Sequence, residues 1–253
     1  MNILKSVLVA FAMFSALPVP QVEWDRDSLR WALCAFPLVG VPIALLCRVW
    51  LGLCAAAGLP PLLRGALLCL IPVLVTGGIH LDGYADTCDA LASHGSVEKK
   101  QEILRDPHIG AFAVIRLCMY FIASLALWTA LPALRLSALL GLFGLSRSLS
   151  GLALVRFPLR EGSGLARGFA EAADSRRVRT GLLVEAGAFA LLLLLGGQAF
   201  SLLAAGLVFL YYRRLCVRSF GGLSGDLAGW FLQTAELWML AAMVLTEVGR
   251  NLL

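Results

Sequence analysis

Three carboxylates stand out in this chain: Asp82, Asp86 and Asp89, within Gly77-Gly78-Ile79-His80-Leu81-Asp82-Gly83-Tyr84-Ala85-Asp86-Thr87-Cys88-Asp89. Spaced i, i+4 and i+7, they fall on one stripe of a 3.6-residue helix, within about 60° of one another. Like charges at that spacing repel. A divalent cation removes the conflict, and a few carboxylates completed by water and phosphate suit Mg²⁺. A solvated acidic helix start would also tolerate these charges, but this stripe abuts an apolar stretch, where carboxylates mark functional positions. Asp82, Asp86 and Asp89 are therefore expected to bind metal. Gly83 leaves room for close approach by a substrate or a neighbouring helix. His80, two residues before Asp82, points away from it on a helix and is expected to be a boundary hydrogen-bonding residue.

Two further clusters suit phosphate chemistry. In Leu104-Arg105-Asp106-Pro107-His108-Ile109-Gly110, Asp106 and Pro107 read as the N-cap and first residue of a helix. Alternatively, Asp106 holds a second metal or orients a hydroxyl while Arg105 neutralises phosphate. In Phe220-Gly221-Gly222-Leu223-Ser224-Gly225-Asp226-Leu227, the glycines let backbone amides approach an anion at a helix N-terminus. This makes Gly221, Gly222, Ser224 and Gly225 phosphate-binding candidates. Asp226 is either a metal ligand beside the Asp82 cluster or an N-cap. Arg147 and Glu236 each lie well inside an apolar stretch and need a partner. They pair with each other, or Arg147 binds phosphate.

The elements that must hold these residues are membrane helices. Of 253 residues, 60% are hydrophobic and 15% charged, against roughly 25% charged in soluble domains, and the mean hydropathy is +0.85. Only helices or closed barrels satisfy their own backbone in lipid, and the continuous apolar runs argue for helices. An all-α polytopic protein is expected, a single membrane-embedded domain over residues 1–253 with seven or eight helices. They are read at Ile3–Leu17, Trp31–Ala57, Gly65–Ile79, Ile109–Leu131, Leu136–Val155, Gly181–Leu195, Gln198–Tyr212 and Leu227–Val248. The first suits a span or the interface, and Gly196-Gly197 suits a hairpin break. Loops holding Lys99, Lys100 and Arg105, then Arg156, Arg160, Arg167, Arg176, Arg177 and Arg179, then Arg213, Arg214 and Arg218 fall on one side. Their basic excess assigns that side to the cytoplasm. The net charge of +5 comes without a basic run interleaved with aromatics, so nucleic acid is not an expected partner. Seven cysteines without a CxxC pair read as reduced.

With these residues in view, the chain resembles the cobalamin synthase family, the adenosylcobinamide-GDP ribazoletransferases. The anchors are Leu17-Pro18-Val19-Pro20, the Gly77–Asp89 segment, Arg105-Asp106 with Ile109-Gly110, and Gly221-Gly222 with Ser224-Gly225-Asp226. The chain departs from the family pattern at Ala16, where Arg is usual, at Ala90, where Gly is usual, and near Ala113. The resemblance implies a Mg²⁺-dependent transferase in a bacterial cytoplasmic membrane, its active site facing the cytoplasm. It would join adenosylcobinamide-GDP to α-ribazole or its 5′-phosphate, releasing GMP, in cobalamin biosynthesis. Asp82, Asp86, Asp106 and Arg105 would be catalytic, and Asp82, Asp86, Asp89 and Asp226 would hold metal. Membrane lipid is a further partner, and homo-oligomers are open. A CDP-alcohol phosphotransferase has Arg where this chain has Asp86. An ion-coupled transporter would place its carboxylates near the midplane.

Overall fold

The structure, a computed structural model, describes residues 3–162, 164–173 and 176–252; the side chains at 26, 27, 165, 166 and 251 lie outside that description. The described chain is all-α: α1 Ile3–Phe14, α2 Arg26–Ala35, α3 Gly40–Ala57, α4 Pro61–Thr76, α5 Ile79–Ala92, α6 Val97–Ile103, α7 Ala111–Ala130, α8 Leu136–Leu154, α9 Gly164–Ala173, α10 Arg176–Leu195, α11 Ala199–Phe220 and α12 Gly225–Asn251. Among the described residues, six helices are long and apolar enough to cross a membrane, or seven if α4 and α5 count as one broken span. At twelve residues, α1 is short of the roughly 20 that a straight span needs. Large apolar side chains on the outer faces, among them Leu46, Ile122, Leu203 and Leu210, are exposed and suit lipid.

Several elements differ from the sequence reading. The expected helix at Trp31–Ala57 is two helices joined by a 3-10 turn at Phe36–Val39, where Pro37 interrupts the α pattern. The hairpin at Gly196-Gly197 is present, with Gly197 at φ +75°, and α11 runs beyond Tyr212 to Phe220. The short helices α6 and α9 were not expected. Asp106-Pro107 does not open α7, which starts at Ala111 with Gly110 as its N-cap residue. There Asp89 supplies the capping oxygen from across the chain, accepting from Ala113 N at 3.2 Å.

The decisive break is between α4 and α5. Gly77 and Gly78 both adopt left-handed backbone, at φ +65° and +81°, a conformation that suits glycine. The chain turns by 98° there, so α5 does not prolong α4 but runs against α12. The contact is backbone to backbone. A Cβ on Gly83 would lie 2.8 Å from both the Cα and the carbonyl oxygen of Asp226, and one on Gly229 would lie 2.7 Å from the carbonyl oxygen of His80.

Beneath this crossing, α8 runs through the centre of the bundle, buried along most of its length. Arg147 on α8 meets Glu236 on α12, Nη1 to Oε1 at 2.7 Å. Ser146 Oγ donates to the same carboxylate at 2.8 Å, and Nη1 also donates to Phe143 O at 3.0 Å. Both charged residues are almost wholly buried. Each satisfies a charge the other would leave unpaired.

Two outcomes follow for the purified protein in detergent. Gly83→Ala forces backbone apart where nothing flexible can yield, and overpacking of this kind costs about 1–3 kcal/mol. Its thermal midpoint should fall, while Gly225→Ala, which meets nothing within 4 Å, should match wild type. Equal midpoints for the two would refute the tight crossing. For the buried pair, Glu236→Leu alone should cost about 3–5 kcal/mol, with most of the loss recovered in Arg147→Leu/Glu236→Leu. A double variant no better than the single would show that the two do not act as a unit.

Candidate active site

The α5–α12 crossing gathers the acidic residues. Asp82 is in the first turn of α5 and Asp226 in the first turn of α12. Both line one cavity of about 200 Å³, together with Phe14, Phe36, His80 and Ser150. Asp82 is exposed and Asp86 half-buried, and Asp86 lies within Coulombic range of Asp82, Asp226 and Asp89. Asp89 has a different placement: besides its bond to Ala113 N, its carboxylate packs so closely on Gly110 that a Cβ there would lie 2.1 Å from Oδ2.

The loop before α12 is held differently from an open anion-binding turn. Gly222 N donates to Cys216 O at 2.9 Å and Leu223 N to Pro158 O at 2.8 Å. The amides of Gly222 and Leu223 are therefore occupied, so the expectation of anion-facing amides at Gly222 is corrected. Arg160 N donates to Leu223 O at 3.0 Å, completing a short parallel bridge between Leu159 and Leu223. Gly222 (φ +153°) is required here because a Cβ would lie 2.5 Å from Arg160 N. Gly221 ends α11 in left-handed backbone at φ +71°, and Gly225 opens α12 with free space around it. Ser224, not Asp226, is the N-cap: its Oγ accepts from Leu227 N at 3.4 Å and lies 3.3 Å from Asp226 Oδ2. Asp226 is thereby free of the capping role.

The bridge delivers a residue that the sequence reading counted only as loop charge. Arg160 is 6% exposed, and its Nε and Nη1 are buried without a hydrogen-bond partner. Burial pulls its guanidinium below the ordinary arginine value, while Asp226 nearby favours the charged form and Arg105 opposes it. A buried cation with unused donors beside a carboxylate can grip an oxyanion. No local pattern marks residue 160, because its position depends on a bridge to residue 223.

The remaining candidates divide. Arg105 is exposed, and its Nη2 would lie 3.7 Å from a Cβ at Gly162, on the same loop as Arg160. Asp106 lies outside the Asp82 cavity, on a shallow surface with Lys99, Glu102 and Arg105. Its Oδ1 accepts from His108 N at 3.0 Å and meets His108 Nδ1 at 2.7 Å, which holds its carboxyl below the ordinary range. Arg147 is committed to Glu236 inside the bundle and is not among the cavity-lining residues. Among the described residues, no group of three or more His, Cys, Asp or Glu side chains is arranged to hold a metal by protein ligands alone.

The profile of a family described as cobalamin-5-phosphate synthase matches residues 6–244. Similar proteins named adenosylcobinamide-GDP ribazoletransferase come from Lachnoclostridium phytofermentans (39% identical, covering 98% of this chain and 96% of the relative) and Pseudomonas fluorescens (35%, 94% and 98%). Another, from Clostridium botulinum, is 29% identical over 93% of this chain and 95% of its own length. No solved structure matches the chain significantly. A match from Ser6 to Val244, which takes in α5, the Arg160 loop and most of α12, makes this chain a member of the cobalamin-5-phosphate synthase family.

Proposed function

We propose that this chain is an adenosylcobinamide-GDP ribazoletransferase of cobalamin biosynthesis. The observation that carries the reading is the sharing of one cavity by Asp82 and Asp226, with the buried guanidinium of Arg160 beside Asp226. Family membership supplies the substrates: adenosylcobinamide-GDP as donor, and α-ribazole or its 5′-phosphate as acceptor. In the reaction, the acceptor's ribose hydroxyl oxygen forms a bond to the phosphorus carried by the cobinamide side chain. The bond from that phosphorus to the bridging oxygen breaks, and GMP leaves with the bridging oxygen's electron pair.

The chain's residues suit three tasks in that displacement. Asp82, the most exposed of the acidic set, orients the hydroxyl and takes its proton. Arg160, with Arg105 at the rim, neutralises charge on the transferring phosphoryl group. Asp82, Asp86 and Asp226 are the residues that would hold Mg²⁺. The fit is chemical: Mg²⁺ is usually held by one or two carboxylates with substrate phosphates and water completing the shell, not by an all-protein cage. When bound, the ion would neutralise the pyrophosphate and the departing GMP. Asp89, engaged with α7, serves to set the angle of that helix against α5.

The basic loops at the site end of the bundle support a cytoplasmic orientation in a bacterial inner membrane. At that end α6 meets the turn before α12, Gln101 Nε2 donating to Phe220 O at 2.8 Å, and the Arg160 loop meets the same turn through the Leu159–Leu223 bridge.

GMP release from adenosylcobinamide-GDP by the purified protein tests the reading. Asp82→Asn and Asp86→Asn should each lower turnover by about 10²-fold or more. Asp226→Asn should keep its thermal midpoint, because Ser224 caps the helix, yet need more Mg²⁺ or lose activity. Arg160→Gln should lose about 10²–10³-fold in turnover, as when a positioned oxyanion donor is removed. Turnover near wild type in Asp82→Asn at saturating Mg²⁺ would overturn the assignment. For orientation, Ser96→Cys in a cysteine-free background should resist an impermeant thiol reagent in intact cells and react in inverted vesicles. The opposite pattern would reverse the topology.

A further inference from the structure

The cavity beneath Asp82 and Asp226 has features that phosphate chemistry does not use. Its lining is largely apolar and includes four rings from separate segments: Phe14 ends α1, Phe36 lies in the 3-10 turn before α3, His80 is on α5 and Phe169 on α9. Phe14 and Phe36 have centroids 4.2 Å apart, Phe36 and His80 5.6 Å, and Phe14 and Phe169 5.8 Å. Two polar side chains in this lining are buried and unpartnered: His80, 6% exposed, at Nε2, and Ser150, 1% exposed, at Oγ. A buried polar atom without a hydrogen bond is costly unless a ligand satisfies it. Two such atoms within one aromatic cavity point to a flat ligand with hydrogen-bonding atoms at its edge.

Size and polarity narrow the class. An apolar cavity of about 150 Å³ admits benzene, so about 200 Å³ suits a fused bicyclic ring. Guanine presents N7 and O6 acceptors and an N2 donor around its edge; the carboxylates of Asp82 and Asp226 could take the donor, but among the lining side chains only His80 and Ser150 are left to serve the acceptors. A benzimidazole has an apolar carbocycle and only two ring nitrogens, one of which carries the ribose in a riboside. We propose that the cavity binds the base of the acceptor, a benzimidazole-type ring packed against one side of the phenylalanine cluster. His80 and Ser150 offer its free nitrogen a hydrogen bond, and the ribose is directed toward Asp82 and Asp226. The inference rests on the ribazoletransferase reading and adds to it the location of the acceptor.

The test separates acceptor from donor. In the purified full chain, His80→Phe and Ser150→Ala should each raise the KM for ribazole about tenfold, the scale of one lost contact in a binding pocket. The KM for adenosylcobinamide-GDP should stay within about twofold of wild type. A rise in the donor KM instead, or no change in either, overturns the proposal. Should either variant fail to fold, equilibrium binding of ribazole to the wild-type protein without donor still decides. Free 5,6-dimethylbenzimidazole should compete and guanosine should not, whereas competition by a short-chain phospholipid alone would assign the cavity to lipid and refute the inference. Ribazole transfer without benzimidazole competition sinks the cavity assignment alone. Benzimidazole competition that is lost in His80→Phe, with no GMP released by wild type, sinks the transferase reading while leaving the cavity's chemistry in place.

Discussion

Everything at the acidic end of this protein depends on how closely α5 and α12 approach. Gly83 meets the backbone of Asp226, and Gly229 meets the backbone of His80, at distances that exclude any side chain. Small residues let membrane helices pack without a hydrophobic drive between them. The closeness has a chemical consequence here, because Asp82 and Asp226 flank the contact and are carried to a common cavity. The left-handed pair Gly77-Gly78 makes the crossing attainable by turning α5 out of line with α4.

Around that contact, the site is assembled from segments far apart in sequence. The Leu159–Leu223 bridge fixes Arg160 against the start of α12. Asp89 caps α7 in trans, so the helix bearing the acidic stripe also sets the position of its neighbour. Deeper in the bundle, Arg147 and Glu236 lock α8 to α12. A buried pair of this kind adds little net stability against an apolar replacement, yet it penalises any arrangement that separates its members. It fixes which face of α12 turns toward α8, and hence on which side Asp226 emerges.

The sequence made the helix bearing the acidic stripe and most of the spans readable, because each follows from local spacing or composition. Gly83 could be read as a point of close approach, though not whether substrate or helix approaches. What could not be read depends on partners at long range. Asp106-Pro107 has the local form of a helix start, but Gly110 and the distant Asp89 begin the helix four residues later. Gly221-Gly222 has the form of an anion-binding turn, yet the amides of Gly222 and Leu223 bond to the carbonyls of Cys216 and Pro158. Arg160 has no local signature at all. Local rules name the residues able to do a task, and tertiary contacts decide which of them do it.

The charge arrangement bears on why such a site would need a cation. Asp82, Asp86 and Asp226 lie within Coulombic range of one another or share a cavity, and the buried guanidinium of Arg160 lies within Coulombic range of Asp226. Without further charge, the acidic set outweighs that guanidinium, and an incoming pyrophosphate would add to the repulsion. At a partly desolvated membrane surface, such repulsion is screened far less than in bulk water. In the transferase reading, a divalent ion held by these carboxylates would supply the positive charge that an incoming pyrophosphate calls for. Arg160 alone lacks the charge to do this. Its fixed, unpartnered donors suit a different task, meeting charge that moves during the displacement with little reorganisation.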